Sequence, residues 1–354
     1  MRPFHYRHVV GLIGVLVFML LSGCGGESET AVPPSPLPPT TPPLATLSNP
    51  ALLADCSSTV GPITIQMADN FRQSNPNAAI EIAISGTGGG FKKFCAGETD
   101  FSNASPPIKE SEITICQQNG VAFIELPVAF DGIAVLTHLD NDFVDCLTSA
   151  ELQTMWESAA WQTITNWQQV RASFPDHPLT LYGPGTASGT YDYFTEAIVG
   201  EEGVSRPDFW ANEDDEMLLT GIHADPTALG FFGLSYYDRN RGQVKLLAVD
   251  HGQGCVEPNT ETVARGLYQP LSRPLFIYIN TTSLAQKPAL DAFVAYYLAN
   301  AAEQVDDVGY IPLTDPLYDL AQERFTARQT GSIFAGSGAA VGVSLADLLL
   351  KGQE

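Results

Sequence analysis

Positive charge is what this 354-residue chain has least of: 17 Lys and Arg stand against 40 Asp and Glu, a formal net charge of −23. A nucleic-acid surface needs clustered Lys and Arg to displace condensed counterions, so that class of partner is excluded. An acidic protein that takes an anion must do so with local dipoles, against its own long-range field. No Gly-x-x-x-x-Gly-Lys-Ser/Thr occurs, which excludes a P-loop nucleotidase. The nearest approach to a hydrolase nucleophile elbow is "GTASG" at 185–189, where Ser188 falls one place late for Gly-x-Ser-x-Gly. Neither Cys-x-x-Cys nor a paired His spacing is present and the 6 His are scattered, so no metal and no cofactor are expected. No repeat of fixed period is visible.

What is present begins at the N-terminus. Arg2 and Arg7 precede an apolar stretch from Val9 to Leu21, too short for a comfortable membrane span and suited to a signal-peptide core. Leu21-Ser22-Gly23-Cys24 resembles a bacterial lipobox, which implies cleavage before Cys24 and lipid on its thiol. The proline-rich "GGESETAVPPSPLPPTTPPL" at 25–44 has almost no apolar side chains and favours extended conformations. The expected organisation is a leader over 1–23, a tether over 24–49, and a folded part held outside the cell at the bacterial membrane. Loss of Arg2 and Arg7 would leave 15 basic against 40 acidic side chains, a formal charge of −25. About 300 residues remain, enough for two lobes of ordinary domain size.

After Cys24, Cys56, Cys95, Cys116, Cys146 and Cys255 remain, and an oxidising compartment favours disulfides with one thiol left over. Short apolar runs alternate with helical segments, the pattern of α/β lobes with mostly parallel sheets. Strands are expected at 80–84, 121–125, 133–137, 179–182, 244–249 and 275–279, and helices at 61–74, 90–97, 110–118, 149–157, 190–199 and 289–302. Small-polar turns recur just before helices: "CSSTVGP" (56–62), "ISGTGGG" (84–90) and "GPGTASGT" (183–190), with "DFSNASPPI" (100–108) a weaker fourth. One such turn is explained by helix capping alone, since Ser and Thr are good caps. Several together point to a shared oxyanion cradle, because each offers unpaired N–H groups and hydroxyls at the positive end of a helix.

The segments "GTGGGFKKFCAGETDFSNAS", "ELPVAFDGIAVLTH", "SGTYDYF", "ALGFFGLSYY" and "QPLSRPLFIYI", in this order, resemble the phosphate-binding lipoproteins of bacterial phosphate ABC transporters, the PstS type. The resemblance runs from about Asp55 to Leu349. It implies an α/β, type II periplasmic-binding-protein fold: two α/β lobes joined by a two-segment hinge near 126–132 and 270–276, closing on phosphate. Residues 50–128 with 275–349 would form one lobe and 129–274 the other. It implies ligand contacts from Ser58 and Thr59 in the first turn, Thr87, Gly88 and Gly89 in the second, Ser105 in the fourth, and Ser188, Gly189 and Thr190 across the cleft. It also implies no catalysis, ABC permease subunits as partners, and a monomer. On the same basis Cys95–Cys116 would staple one lobe and Cys146–Cys255 the other, leaving Cys56 as the odd thiol.

Two departures bear on selectivity. Pro106 stands where such proteins usually carry Arg, and Ala187 where they tend to carry Asp. Hydrogen bonds to a charged group are worth roughly 1.5–3 kcal/mol each, so six to eight give on the order of 10–20 kcal/mol before association costs of about 4–15 kcal/mol. Micromolar binding, about −8 kcal/mol, survives the loss of the Arg. Asp100 or Asp131 could supply the lost acceptor, and Arg206 or Arg273 the lost cation, though each is also explained as a structural ion pair. The alternatives are a site for another tetrahedral oxyanion such as sulfate, an exported phosphatase or esterase using Ser188, and a sensor that kept the fold without the ligand.

Overall fold

The computed structural model describes residues 51–334 and 345–351, which all fall within one compact unit. The leader, Cys24, the tether and the glycine-rich run at 335–342 lie outside the described residues.

The strands are β1 (Leu52–Cys56), β2 (Ile80–Ile84), β3 (Phe101–Ala104), β4 (Phe123–Thr137), β5 (Cys146–Thr148) and β6 (Thr180–Gly183). They continue with β7 (Trp210–Ala211), β8 (Ala228–Gly233), β9 (Lys245–Asp250), β10 (Cys255–Val256), β11 (Ser272–Asn280) and β12 (Ile311–Pro312). Helices alternate with these strands along the chain, giving the α/β class. The sheets are mixed rather than mostly parallel. β1 runs parallel to β2 and β3, and β6 parallel to β7 and β8, but β4 and β11 run antiparallel to every strand they meet. The reason is that these two long strands make the crossings between the lobes.

The expected strands 121–125 and 133–137 are one fully buried 15-residue strand, β4. Its first part pairs with β11, and Ile133–Thr137 pairs with β8 and β9, so β4 belongs to both lobes. Asp131 and Gly132 mark the change of partner. A Cβ on Gly132 would lie 3.0 Å from Ile311 Cδ1 and 3.3 Å from Leu234 Cδ2, so the crossing is packed from both sides. β11 starts beside it, with Ser272 opposite Gly132 and Arg273 opposite Asp131. The chain thus passes between the lobes twice at one place.

The helix Gly61–Ser74 carries Pro62 in its first turn, where the missing N–H costs nothing, and buries Ile63, Met67 and Phe71 at helical spacing. Phe71 meets Phe293 of the helix Pro288–Asp307 edge-on, with ring centroids 5.4 Å apart. Burial of each such ring contributes about 1.5–3 kcal/mol. This packing directs the N-terminus of the first helix, and the turn before it, toward the cleft.

Disulfides join Cys95 to Cys116, tying the helix Thr87–Cys95 to the helix Glu110–Gln118, and Cys146 to Cys255, tying β5 to β10. Among the described residues Cys56 is the free thiol; it is buried, and desolvation pushes its pKa up to about 12, so it stays protonated. Among the described residues no helix is long and apolar enough to cross a membrane.

Candidate functional site

β1 ends in Asp55 and Cys56, and the chain turns through Ser57, Ser58 and Thr59 into the first helix. Ser57 shapes this turn: its N–H donates to Asn103 Oδ1 at 3.1 Å, and its Oγ accepts from Thr59 N at 3.1 Å and from Val60 N at 3.3 Å. Asn103 is fixed in its turn through Nδ2 to Thr64 Oγ1 at 2.5 Å. The hydroxyl at 57 therefore satisfies the helix start, leaving Ser58 and Thr59 to face the cleft.

The second turn is anchored by Asp55. Its Oδ1 accepts from Ser85 N at 2.9 Å and from Ser85 Oγ at 2.7 Å, and Lys93 Nζ donates to Oδ2. Gly86 follows with φ +81°, a left-handed conformation that costs a side chain but not a glycine. The helix Thr87–Cys95 then starts on Thr87 and Gly88. A Cβ at Gly89 would lie 2.4 Å from Ser85 Oγ, and one at Gly90 2.9 Å from the Asp55 carbonyl oxygen. The glycine run that stands out in the sequence thus has a packing cause: the helix start is pressed onto β1 and onto the serine that Asp55 holds.

The turns meet. Ser57, Ser58, Thr59, Thr87, Gly88 and Ser105 line one cavity of about 340 Å³. Ser105, at the end of β3, joins two of them, with its Oγ 3.4 Å from Ser57 Oγ and 3.4 Å from Thr87 Oγ1. The same cavity is also lined by Lys109, Glu112, Asp192, Tyr193, Glu196 and Glu202. Gly89, Ser188, Gly189 and Thr190 do not line the cavity. Gly189 instead abuts the first turn, where a Cβ would lie 2.9 Å from Thr59 Oγ1 and 3.2 Å from Thr59 Cα. Ser188 caps the short helix Gly189–Phe194, its Oγ accepting from Thr190 N at 3.2 Å. The expected helix over 190–199 changes to a π-turn at Thr195–Val199.

Of the four charged candidates, two are committed elsewhere. Arg206 makes 2.6 and 2.8 Å bonds to Asp208 and donates to the Met155 and Ile164 carbonyls. Asp100 is held by Lys287 at 2.7 Å and by Leu53 N at 2.8 Å. Arg273 is different, because it lines the cavity. Its guanidinium lies over the Tyr193 ring, 3.6 Å from the centroid, and its Nη2 is 3.3 Å from Thr59 Oγ1. Asp131 beside it is buried; desolvation raises its pKa and the Arg273 charge offsets only part of that. Asp192 is also raised, first by burial, then by the Glu202 and Glu196 charges, against a lowering pull from Arg273.

Asp192, Tyr193, Glu196 and Glu202 were missed as site residues, because only the third dimension brings this stretch to the cavity. The spacing of Asp192 and Glu196 (four apart, hence one helix face) was the available clue. Among the described residues no group of three or more His, Cys, Asp or Glu could hold a metal ion.

Asp55 makes a pH prediction. Burial opposes its ionisation, but the Lys93 ammonium and the two Ser85 donors outweigh that and hold its pKa below 3.8. A carboxylate with a depressed folded pKa stabilises the fold above its unfolded value, and that stability is lost as pH falls through the folded value. Asp55→Asn should therefore cost about 2 kcal/mol at pH 7. The gap between variant and parent should narrow below about pH 4. Urea unfolding at the two pH values checks this; a gap that widens in acid contradicts it.

Comparison with known proteins places these features in a group. A model of the PBP superfamily domain matches residues 38–301. Protein SphX of Synechocystis sp. is 47% identical over 295 residues, which is 83% of this chain and 88% of that protein. Phosphate-binding protein PstS of Staphylococcus saprophyticus is 33% identical over 271 residues, 76% of this chain and 82% of the other. The solved structure of a possible phosphate binding protein from Planctomyces limnophilus is 38% identical and superposes with a TM-score of 0.74, covering 78% of this chain and 98% of that one.

Proposed function

The chain belongs to the PBP superfamily, as a PstS-type solute-binding protein, and from that premise we propose that it binds inorganic phosphate between its lobes outside the cytoplasm and delivers it to an ABC permease. The observation that carries this reading is the convergence of Ser58, Thr59, Thr87, Gly88 and Ser105 on one cavity, with Gly189 of the opposite turn against Thr59. Two helix starts supply N–H groups and partial positive charge, and four hydroxyls supply orientable donors. Ser188, Gly189 and Thr190 would add their donors from the other lobe, and Gly89 would add its amide. The domain limits set out above, 50–128 with 275–349 and 129–274, follow the same reading, and both boundaries fall within the paired strands β4 and β11. Lipid on Cys24 and the proline-rich tether would hold the protein, as a monomer, at the membrane. Ser188 in a capping role favours binding over catalysis.

Calorimetry of the purified chain with phosphate and then sulfate tests this. Phosphate should bind with micromolar affinity or better, and more tightly than sulfate. The affinity should fall less than about threefold between 0.05 and 0.5 M NaCl, although the Debye length shrinks to about 4 Å, because fixed dipoles in a cleft are little screened. Sulfate binding without phosphate binding would overturn the assignment. Turnover of a chromogenic phosphate ester that is lost in Ser188→Ala would replace it with the enzymatic alternative.

A further inference from the structure

Arg273 is held in an unusual way for a buried cation. Two other arginines with limited exposure meet carboxylates at short range, Arg206 to Asp208 at 2.6 Å and Arg171 to Glu151 at 2.6 Å. Arg273, 12% exposed, has only outer-limit contacts: Asp131 at 3.4 Å, Glu196 at 3.5 Å and Thr59 Oγ1 at 3.3 Å. Its Nε is buried without a hydrogen-bond partner. A guanidinium carries five donors in a rigid plane, and charge-assisted bonds settle near 2.7–2.9 Å when they can. One face is fixed by the Tyr193 ring, so the plane cannot simply turn to find better partners. The group is oriented, desolvated and under-satisfied, and its edge is part of the cavity wall.

Its place in the fold adds a second property. Arg273 is the second residue of β11, opposite Asp131 of β4, where both chain crossings lie. Thr59 belongs to one lobe, and Tyr193 and Glu196 to the other. Glu196 is half exposed, so its loss to solvent costs little.

We propose that Arg273 is the specificity-determining cation of the anion site and the link between occupancy and lobe closure. The anion displaces Glu196 from the guanidinium and takes its donors as a bidentate acceptor, while Asp131 and the Tyr193 ring keep the plane in place. Glu196 is thus a competitor for the ligand's own partner. This rests on the phosphate reading above.

The test titrates the purified chain and three variants with inorganic phosphate by calorimetry, with thermal unfolding of each. Arg273→Gln should bind at least 30-fold more weakly, and Arg273→Lys about 5–10-fold more weakly, since a point charge cannot be bidentate. Glu196→Gln should bind about 3–10-fold more tightly, an effect that loss of a structural ion pair would not produce. Small-angle scattering should show phosphate-induced compaction in the parent and less of it in Arg273→Lys. If Arg273→Gln fails to fold, the Lys and Glu196→Gln variants decide. Parent binding with Arg273→Lys within threefold of it, or with Glu196→Gln weakened, overturns this proposal alone. A parent that binds no phosphate overturns the functional reading and this proposal with it.

Discussion

Gly189→Val should weaken phosphate binding about 100-fold while leaving the fold intact. A Cβ at 189 already falls 3.2 Å from Thr59 Cα and 3.3 Å from Thr59 N, which is backbone that cannot swing aside, and the valine methyls reach further. The first and third turns must then separate. An anion held from both sides would lose about two charge-assisted hydrogen bonds, or roughly 3 kcal/mol, which is two decades in affinity. The clash is between two turns and outside the hydrophobic core, so the melting temperature should move by only a few degrees. Gly88→Ala is the matched control, because a Cβ there meets nothing within 4 Å. It should cost less than tenfold. Titration of both variants with phosphate checks the pair; equal and small losses would mean that the two turns do not cooperate on one ligand.

Glu125→Leu should be the most damaging change to the fold itself, at about 3–5 kcal/mol. Glu125 is fully buried in β4, where its carboxyl accepts from Ile333 N at 2.7 Å, from Tyr278 OH at 2.8 Å and from Ser332 Oγ at 3.1 Å. Burial pushes its pKa up, against the pull of these donors and of the Arg324 charge. Arg324 is buried too, donating to the Glu125 carbonyl and to the Gly331 carbonyl, so the pair fastens the helix Asp315–Thr326 and the 331–333 segment to the long crossing strand. Leucine would leave Tyr278 OH and Ile333 N unpaired and the Arg324 charge uncompensated. At roughly 2–4 °C per kcal/mol the melting temperature should fall by about 6–20 °C. Glu125→Gln keeps an acceptor oxygen and should lose less than half as much. Thermal unfolding of the two variants measures this; a Gln variant as damaged as the Leu one would mean that charge, rather than hydrogen bonding, is what the site requires.

The contrast between these two residues shows what a linear reading can and cannot reach. Turns such as Ser57–Thr59 and Ser85–Gly88 are local, with conformation and donor capacity written in adjacent residues, so their convergence could be anticipated. The helix limits 61–74 and 110–118 were legible for the same reason, with Pro62 near one start and glycine or asparagine near the ends. β1 and β3 were not anticipated, because Asp55, Ser102 and Asn103 break the apolar pattern although all three are buried. Their partners are distant in sequence: Ser102 Oγ bonds the Asp55 carbonyl at 2.7 Å across 47 positions. β8 was missed because Gly230 and Gly233 weaken its strand signal. Asp131-Gly132 read as a break between two strands, whereas packing by Ile311 and Leu234 carries β4 straight through. Arg273 could be named from the sequence only as one of two candidate cations, beside Arg206. Its environment depends on the register of β11 against β4 and on where Tyr193 falls, and neither is encoded near position 273.

The central claim is that separate short loops meet around one tetrahedral ion. A crystal structure of the chain grown with phosphate tests it most directly. The account predicts phosphate oxygens within hydrogen-bond distance, about 2.6–3.2 Å, of groups in the 57–59, 87–89 and 188–190 turns together. Phosphate bound elsewhere, or held by one turn alone while the others face away, would contradict it.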